Sequence, residues 1–484
     1  MLCDTYMSFV ECHPHIGGAP QVDSSRSYQD VRSPYDGTLV GRVALAGASD
    51  LEQAIAGASA AFESLRRSPT YERALLLERI ALGIDAAREE FARSIALESG
   101  KPLRYARAEV ARAATTFRLA AAETRSFDGS VLPSDQLPGA EGRLTLFKRV
   151  PRGPIGGISP FNFPLNLAAH KLAPALAVGA PLVLKAPPRA PLTAHRLAQL
   201  ASEAGAPPHA FNVLHLMPEV AEQLATDRRL PVLSFTGSDS VGWHLARVAE
   251  RKQVLLELGG NAPCLVDETC DFEVLLPRLV EGCFANAGQV CIKAQRVYVV
   301  QQRFPEFLER FVALTAELAV GDPLDERTVV GPLIEQRQLE RVQQWLSEAR
   351  AGGARLVCGG AAEGHVLAPT VLSDTRANMR VCKDEIFGPV TVVEPVPDFE
   401  EGLRACNASR FGIQASVFTR EIGRALRAFD MLSFPGVLIN DAPTFRVDNV
   451  PYGGTRDSGR GREGVRFAME EYTETRLLSL RGSE

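Results

Sequence analysis

Three side chains of this chain have surroundings that suit chemistry: a thiol, a carboxylate and a primary amide. Cys291 ends the run Gly288-Gln289-Val290-Cys291, a candidate nucleophile beside a close-packing glycine at the mouth of a strand. The thiolate, not the thiol, attacks, and an unassisted cysteine is little ionised at neutral pH, so its setting has to help. Glu257 stands at a strand end before Leu258-Gly259-Gly260, where a carboxylate can act as a general base. Asn162 lies in Ser159-Pro160-Phe161-Asn162-Phe163-Pro164, with proline-restrained backbone on both sides. Its side-chain N–H and the Cys291 backbone N–H are two donors for an oxyanion. Cys264, Cys270, Cys283, Cys358, Cys382 and Cys406 read as inert core thiols.

These groups need a scaffold. From Ser49 to Glu123 the chain is alanine-rich with a period near 3.6, which predicts three or four amphipathic helices. Asp128 to Leu146, with Pro133, Pro138 and Gly139, predicts an extended hairpin arm. Strand and helix then alternate: a strand ending at Ile158-Ser159, a helix over 165–176, a strand over 181–185 and a helix over 193–205. A strand over 232–235 and a helix over 238–251 complete this series. That order predicts an α/β fold with a doubly wound, parallel sheet. A second βα series runs from about Val254 to Gly436, and Tyr472 to Leu480 has strand character. The first twenty-odd residues show no periodicity and read as a loose arm, with His13 and His15 too few to form a metal site.

Composition narrows the function. At 484 residues the chain exceeds one ordinary core, and 45% hydrophobic with 23% charged residues fits a globular enzyme. A net charge of −5 without a basic block argues against nucleic-acid binding. Nine scattered cysteines, with no CxxC, fit reduced thiols and a cytoplasmic location. Met1-Leu2-Cys3-Asp4 lacks the basic start of a signal peptide. The apolar run from Leu165 to Leu184 is broken by His170, Lys171, Pro174 and Pro181, too polar to span a bilayer.

No GxGxxG follows any expected strand. Phe235-Thr236-Gly237-Ser238 offers a tight turn at a strand end and a serine to cap a helix whose N–H groups could face a pyrophosphate. With Ser238 lying 19 residues before Glu257 and 53 before Cys291, and with Glu385-Ile386-Phe387-Gly388-Pro389 downstream, the chain resembles the aldehyde dehydrogenase superfamily from about residue 30 onward. The resemblance implies a Rossmann-like cofactor domain (1–126 and 147–254), an α/β catalytic domain (255–440), and a small β arm (127–146) with a C-terminal strand (455–484). It implies NAD or NADP held by Ile158, Ser159, Pro160, Phe161, Lys185, Gly237, Ser238, Leu258, Glu385 and Phe387. Cys291 would attack an aldehyde, the cofactor would take up hydride, and Glu257 would activate water for release of the acid. Where the family often has a glutamate that chelates the ribose and repels a 2′-phosphate, this chain has Pro188, so both cofactors are expected.

The family's substrate pocket maps onto Arg112, Phe163, Leu167, His170, Val290, Ile292, Phe445 and Arg446. Arg112 and Arg446 fall where anion-binding arginines occur in the branch that resembles lactaldehyde and non-phosphorylating glyceraldehyde-3-phosphate dehydrogenases. Two converging guanidiniums favour a carboxylate or phosphate. Val290 and Phe163 depart from members that carry arginine or histidine there. The expected substrate is a small, polar or anionic aldehyde. A solvated role for Arg112, an acylating coenzyme A-dependent semialdehyde dehydrogenase, and an inactive binding relative are the alternatives. Pro451-Tyr452-Gly453-Gly454 and Ser458 to Glu463 resemble the family's late glycine-rich signature, which implies a homodimer or homotetramer. No metal is expected.

Overall fold

The structure is a computed structural model describing residues 9–127 and 129–481. The expectation for Met1 to Asp4, and the outermost parts of the expected arms at Asp128 and 482–484, lie outside the described residues. Four helices, Ala48–Leu65, Thr70–Ala86, Arg88–Ser99 and Leu103–Ser126, form the alanine-rich region. The last buries Ala106, Val110, Ala113, Phe117, Ala120 and Ala121, spaced three and four apart. Such small residues let it lie close against the helix Asn166–Val178, every residue of which is buried. The apolar run at Leu165 is therefore a core helix, and among the described residues no helix is long and apolar enough to cross a membrane.

The first large sheet has five parallel strands at its centre, in the order Gln253–Glu257, Val232–Thr236, Ile155–Ile158, Leu182–Lys185 and Phe211–Leu214. Chain order reverses between Ile155–Ile158 and Val232–Thr236, the switch point outside whose carboxyl ends such sheets bind ligands. Antiparallel strands close both edges: Gly459–Arg460 on one side, His15–Ile16 and Ala19–Pro20 on the other. The second large sheet carries seven strands, all parallel but for the edge strand Arg355–Cys358. In the third, Thr473–Arg481 pairs along Arg143–Pro151, whose other side takes Ser130–Leu132.

Three expectations change. From Val10 onward the N-terminal segment is no loose arm: Val10–Cys12 pairs with Leu39–Ala44, and His15 is buried with its Nε2 3.0 Å from Ser202 Oγ. Strands of two or three residues are too short to show a period. Secondly, Ser238 precedes the helix Asp239–Val248 in extended geometry but makes no side-chain cap bond. Thirdly, the expected boundary at 254/255 cuts the strand Gln253–Glu257, which belongs to the first sheet, so that sheet delivers Glu257.

Two buried glutamates tie the helical region to the first sheet's helices. Glu98 accepts from Leu192 N and Thr193 N at the start of Leu192–Glu203. Glu109 accepts from Leu165 N (2.9 Å) and Asn166 N (3.1 Å), and also pairs with the buried Lys101 ammonium. Lys101 lies 3.6 Å over the Phe163 ring. Removing one partner of such a pair leaves an uncompensated buried charge, whereas removing both charges is often tolerated. Lys101→Met should therefore cost roughly 3–5 kcal/mol by urea unfolding, and adding Glu109→Gln should recover most of it. A double variant no more stable than the single one would refute this account.

Candidate active site

The loop of the candidate nucleophile, Cys291, is held in an uncommon conformation. Asn286, Ala287 and Gly288 have φ of 53°, 53° and 66°, a left-handed run that non-glycine residues rarely adopt. A Cβ at Gly288 would stand 2.2 Å from the Gly388 carbonyl oxygen, so the glycine does permit close packing. Side chains that the sequence reading passed over secure this loop. Gln289 Oε1 accepts from Ile334 N at 3.0 Å and its amide donates to Pro332 O at 3.2 Å. Lys293 Nζ donates to Gly388 O and Val390 O at 3.0 and 2.5 Å. Gln295 Nε2 donates to Asp384 O, while its Oε1 accepts from Ile386 N. Lys293 and Gln295 thus fasten the Glu385 loop to the nucleophile loop.

Cys291 is half-buried, with Val290, Ile292, Ile413 and Tyr452 around it. Its hydrogen-bond partner is the Tyr452 hydroxyl, 3.1 Å away. Burial pushes the thiol up to about 11, against the lowering influence of Tyr452 and Arg446. Asn162 is buried, and its Nδ2 donates to Gln289 O at 3.0 Å, so the amide lies against the nucleophile loop with a second N–H in hand.

Glu257 is buried, and burial above all, then the neighbouring Glu463, raises its pKa well above the carboxylate range. A Cβ at Gly453 would meet Glu257 Oε1 at 2.8 Å, so the carboxylate rests against bare backbone of the late glycine-rich segment. Lys171, also buried, donates to Ser234 Oγ (3.1 Å) and Thr236 Oγ1 (2.7 Å) and lies 3.6 Å from Glu463 Oε1. Neither Lys171 nor Glu463 stood out in sequence as part of this site.

The two candidate anion-binding arginines do converge, but on a carboxylate of the chain itself. Asp448 takes Arg112 at 2.6 and 3.2 Å, accepts a bond from His170 Nε2 at 2.9 Å, and lies 3.6 Å from Arg446 Nε. Burial opposes ionisation of Asp448, yet the His170 hydrogen bond and the Arg112 guanidinium hold it well below the usual range. Arg446 also donates to Glu463 Oε2 at 3.2 Å and its guanidinium carbon lies 3.7 Å over the Tyr452 ring. The carboxylate between Arg112 and Arg446 is thus supplied by Asp448. Leu167 lies at the start of the same helix as His170 and Phe163 in the bend before it, and Phe445 is half exposed beside Arg446.

The residues expected to hold a dinucleotide lie around the switch point. Ser159 Oγ, just past Ile158, is buried without a hydrogen-bond partner, and buried Lys185 Nζ has one long contact of 3.4 Å, to Ala186 O. Burial lowers Lys185 to about 8. A Cβ at Gly242 would meet Leu258 at 2.3 Å, and one at Gly237 the Phe235 ring at 2.6 Å, so this turn keeps its backbone bare. Glu385 accepts from Gly260 N at 2.9 Å, with burial raising it to about 7, and Phe387 meets Phe161 edge-on at 6.1 Å. Pro188 presents no carboxylate there; its carbonyl accepts from Gln29 Nε2 at 2.8 Å. Unsatisfied polar atoms beside bare backbone fit a dinucleotide phosphate and ribose.

Comparison with known proteins agrees with this geometry. The model of the aldehyde dehydrogenase family matches residues 21–478. A 3-sulfolactaldehyde dehydrogenase from Priestia aryabhattai is 37% identical over 459 residues, covering 95% of this chain and 96% of its own length. Aldehyde dehydrogenase 21 from Physcomitrella patens, solved with the reaction product succinate, superposes with a TM-score of 0.96 at 38% identity, covering 98% and 99% of the two chains. Glyceraldehyde-3-phosphate dehydrogenase from Methanocaldococcus jannaschii, solved with NADP, gives 0.91 at 35% identity, covering 95% and 100%. With a thiol, a carboxylate and an amide gathered beside a switch point suited to a dinucleotide, the chain belongs to the aldehyde dehydrogenase family and is an NAD(P)-dependent aldehyde dehydrogenase.

Proposed function

We propose that the chain oxidises a small, polar or anionic aldehyde to its carboxylic acid through a cysteine-bound thiohemiacetal and thioester. The observation that carries this reading is the single tyrosine linking Cys291 to Arg446: its hydroxyl is 3.1 Å from Sγ, and the guanidinium covers its ring at 3.7 Å. A carbonyl at the sulfur and a polar or charged tail at Arg446 are then separated by about one side chain, which suits a short substrate. The relatives named for sulfolactaldehyde and solved with succinate are in keeping with such a tail. Arg112, Arg446 and Lys171 face Asp448 and Glu463 at this end of the site.

Sγ adds to the carbonyl carbon, and the oxygen takes the bonding pair as an oxyanion facing the Asn162 amide and the Cys291 backbone N–H. Loss of one such donor typically costs roughly 2.7–4 kcal/mol in turnover. A nicotinamide cofactor, held by Ser159, Lys185, Glu385 and their neighbours, supplies a hydride acceptor when bound. Glu257 then accepts a proton from water as the water oxygen bonds the thioester carbon; the C–S bond breaks and the thiolate returns. The first sheet with the helical region is the cofactor domain, the second sheet the catalytic domain, and the third an arm. Leu144, Leu477, Leu478 and Leu480 are exposed on that arm. Pairing of this apolar ribbon with another copy gives a homodimer or homotetramer, which light scattering measures. A cytoplasmic location accords with the free cysteines.

Glu257 must be ionised to accept a proton, and its pKa is raised, so turnover should climb with pH through a value above the carboxylate range. Glu257→Gln should keep a rapid burst of reduced cofactor while steady turnover falls by about two to four orders of magnitude. Wild-type turnover in that variant would remove Glu257 from the mechanism. Asp448 has a depressed pKa, so its contribution to stability is complete above the ordinary aspartate value and is lost as pH falls below it. Asp448→Asn should therefore cost on the order of a few kcal/mol at neutral pH, less in strong acid. Freed of their counter-ion, Arg112 and Arg446 should bind succinate or sulfate more tightly as inhibitors; weaker inhibition would contradict the assignment of Asp448. Pro188 leaves NADP unopposed, so kcat/KM for NAD and NADP should lie within a thousandfold, and Pro188→Glu should shift the ratio towards NAD.

A further inference from the structure

We propose that Tyr452 is a catalytic residue, whose hydroxyl donates a hydrogen bond to Cys291 Sγ, favours its thiolate and aims the sulfur at the substrate carbon. The proposal rests on Cys291 being the nucleophile.

The geometry is built rather than incidental. Tyr452 N donates to Glu463 O at 2.9 Å and Glu463 N to Tyr452 O at 2.7 Å, an antiparallel bridge that fixes the ring's origin. Ile292 and Ile413 pack against the ring, Arg446 covers it at 3.7 Å, and the residue is 6% exposed. The only freedom left to the hydroxyl is rotation of its proton, and Sγ at 3.1 Å lies in range. A neutral thiol can either give or take that hydrogen bond, but a thiolate can only accept it. The contact therefore strengthens on ionisation, as hydrogen bonds to charged acceptors do. The thiol proton leaves to solvent and the phenol keeps its own.

The surrounding charges are consistent with this division. Glu385 and Glu257 face Cys291 and oppose the thiolate, while Arg446 favours it. Around Tyr452, burial foremost and then Cys291 and Glu257 keep the phenol protonated, against Arg446. Arg446 acts through Tyr452 as a positioning residue: a cation over the ring face draws electron density from the phenol and makes its O–H a better donor.

The test is the pH dependence of Cys291 alkylation by iodoacetamide in the full-length enzyme without substrate, with the adduct located by peptide mass spectrometry. Tyr452→Phe keeps the ring and its packing. It should move the alkylation midpoint up by about one pH unit and slow alkylation about tenfold at neutral pH, with the rate at high pH unchanged. A change in packing alone would alter the high-pH rate and leave the midpoint in place. Should that variant fail to fold, ring-fluorinated tyrosine at position 452, a stronger donor, should move the midpoint down. An adduct on Cys291 with an unmoved midpoint in a folded Tyr452→Phe enzyme overturns the proposal alone. If instead Cys291→Ala leaves aldehyde oxidation intact, the nucleophile assignment itself falls.

Discussion

Charge can be buried only when it is paired, and that constraint shapes the carboxyl end of the first sheet. Lys171 and Arg446 have no water to solvate them; Glu463 and Asp448 are what they find. Satisfying these four groups draws the segment from Asp448 to Glu463 over the strand ends. Once drawn there, Gly453 lies against Glu257 and Tyr452 against Cys291. The ion pairs need not add net stability for this to hold. Breaking any one would leave a bare charge, so alternative courses of the segment are excluded.

The candidate site residues were more legible in sequence than the ion pairs around them. Cys291, Glu257 and Asn162 announce themselves through local context, a glycine or a proline at fixed offset. Asp448, Glu463 and Lys171 do not, because their meaning lies in partners far along the chain: Asp448 meets His170 across 278 positions and Arg112 across 336. An aspartate among polar neighbours reads as surface until the fold supplies two guanidiniums. For the same reason the sequence suggested an anion between Arg112 and Arg446 but not that Asp448 stands beside both. A periodic signal recovered the helices and the parallel strands. It failed at His15–Ile16 and Ala19–Pro20, which have two residues each and no period to detect.

Backbone strain is gathered at the two loops that meet at the nucleophile. Asn286 and Ala287 on one side and Phe387 on the other have positive φ without being glycine. Each such residue costs of order 1–3 kcal/mol and persists only where the surroundings over-determine it. Lys293 and Gln295 supply that determination through bonds to backbone of the Glu385 loop, and Gln289 through bonds to Pro332 and Ile334. The loop that carries Cys291 is thus supported by side chains that bond backbone groups.

Burial opposes the ionisation of Cys291 and of Glu257, which the proposed reaction needs. A site that merely favoured charge would be wet, and water would compete for the aldehyde and screen the oxyanion donors. A dry site strengthens every hydrogen bond aimed at developing charge but has to help its own nucleophile ionise. The late segment meets both demands at once. It seals Glu257 beneath glycine backbone, and it brings one hydroxyl to the sulfur with a guanidinium behind it. Reactivity here comes from a few directed contacts inside a desolvated pocket rather than from a broadly cationic one.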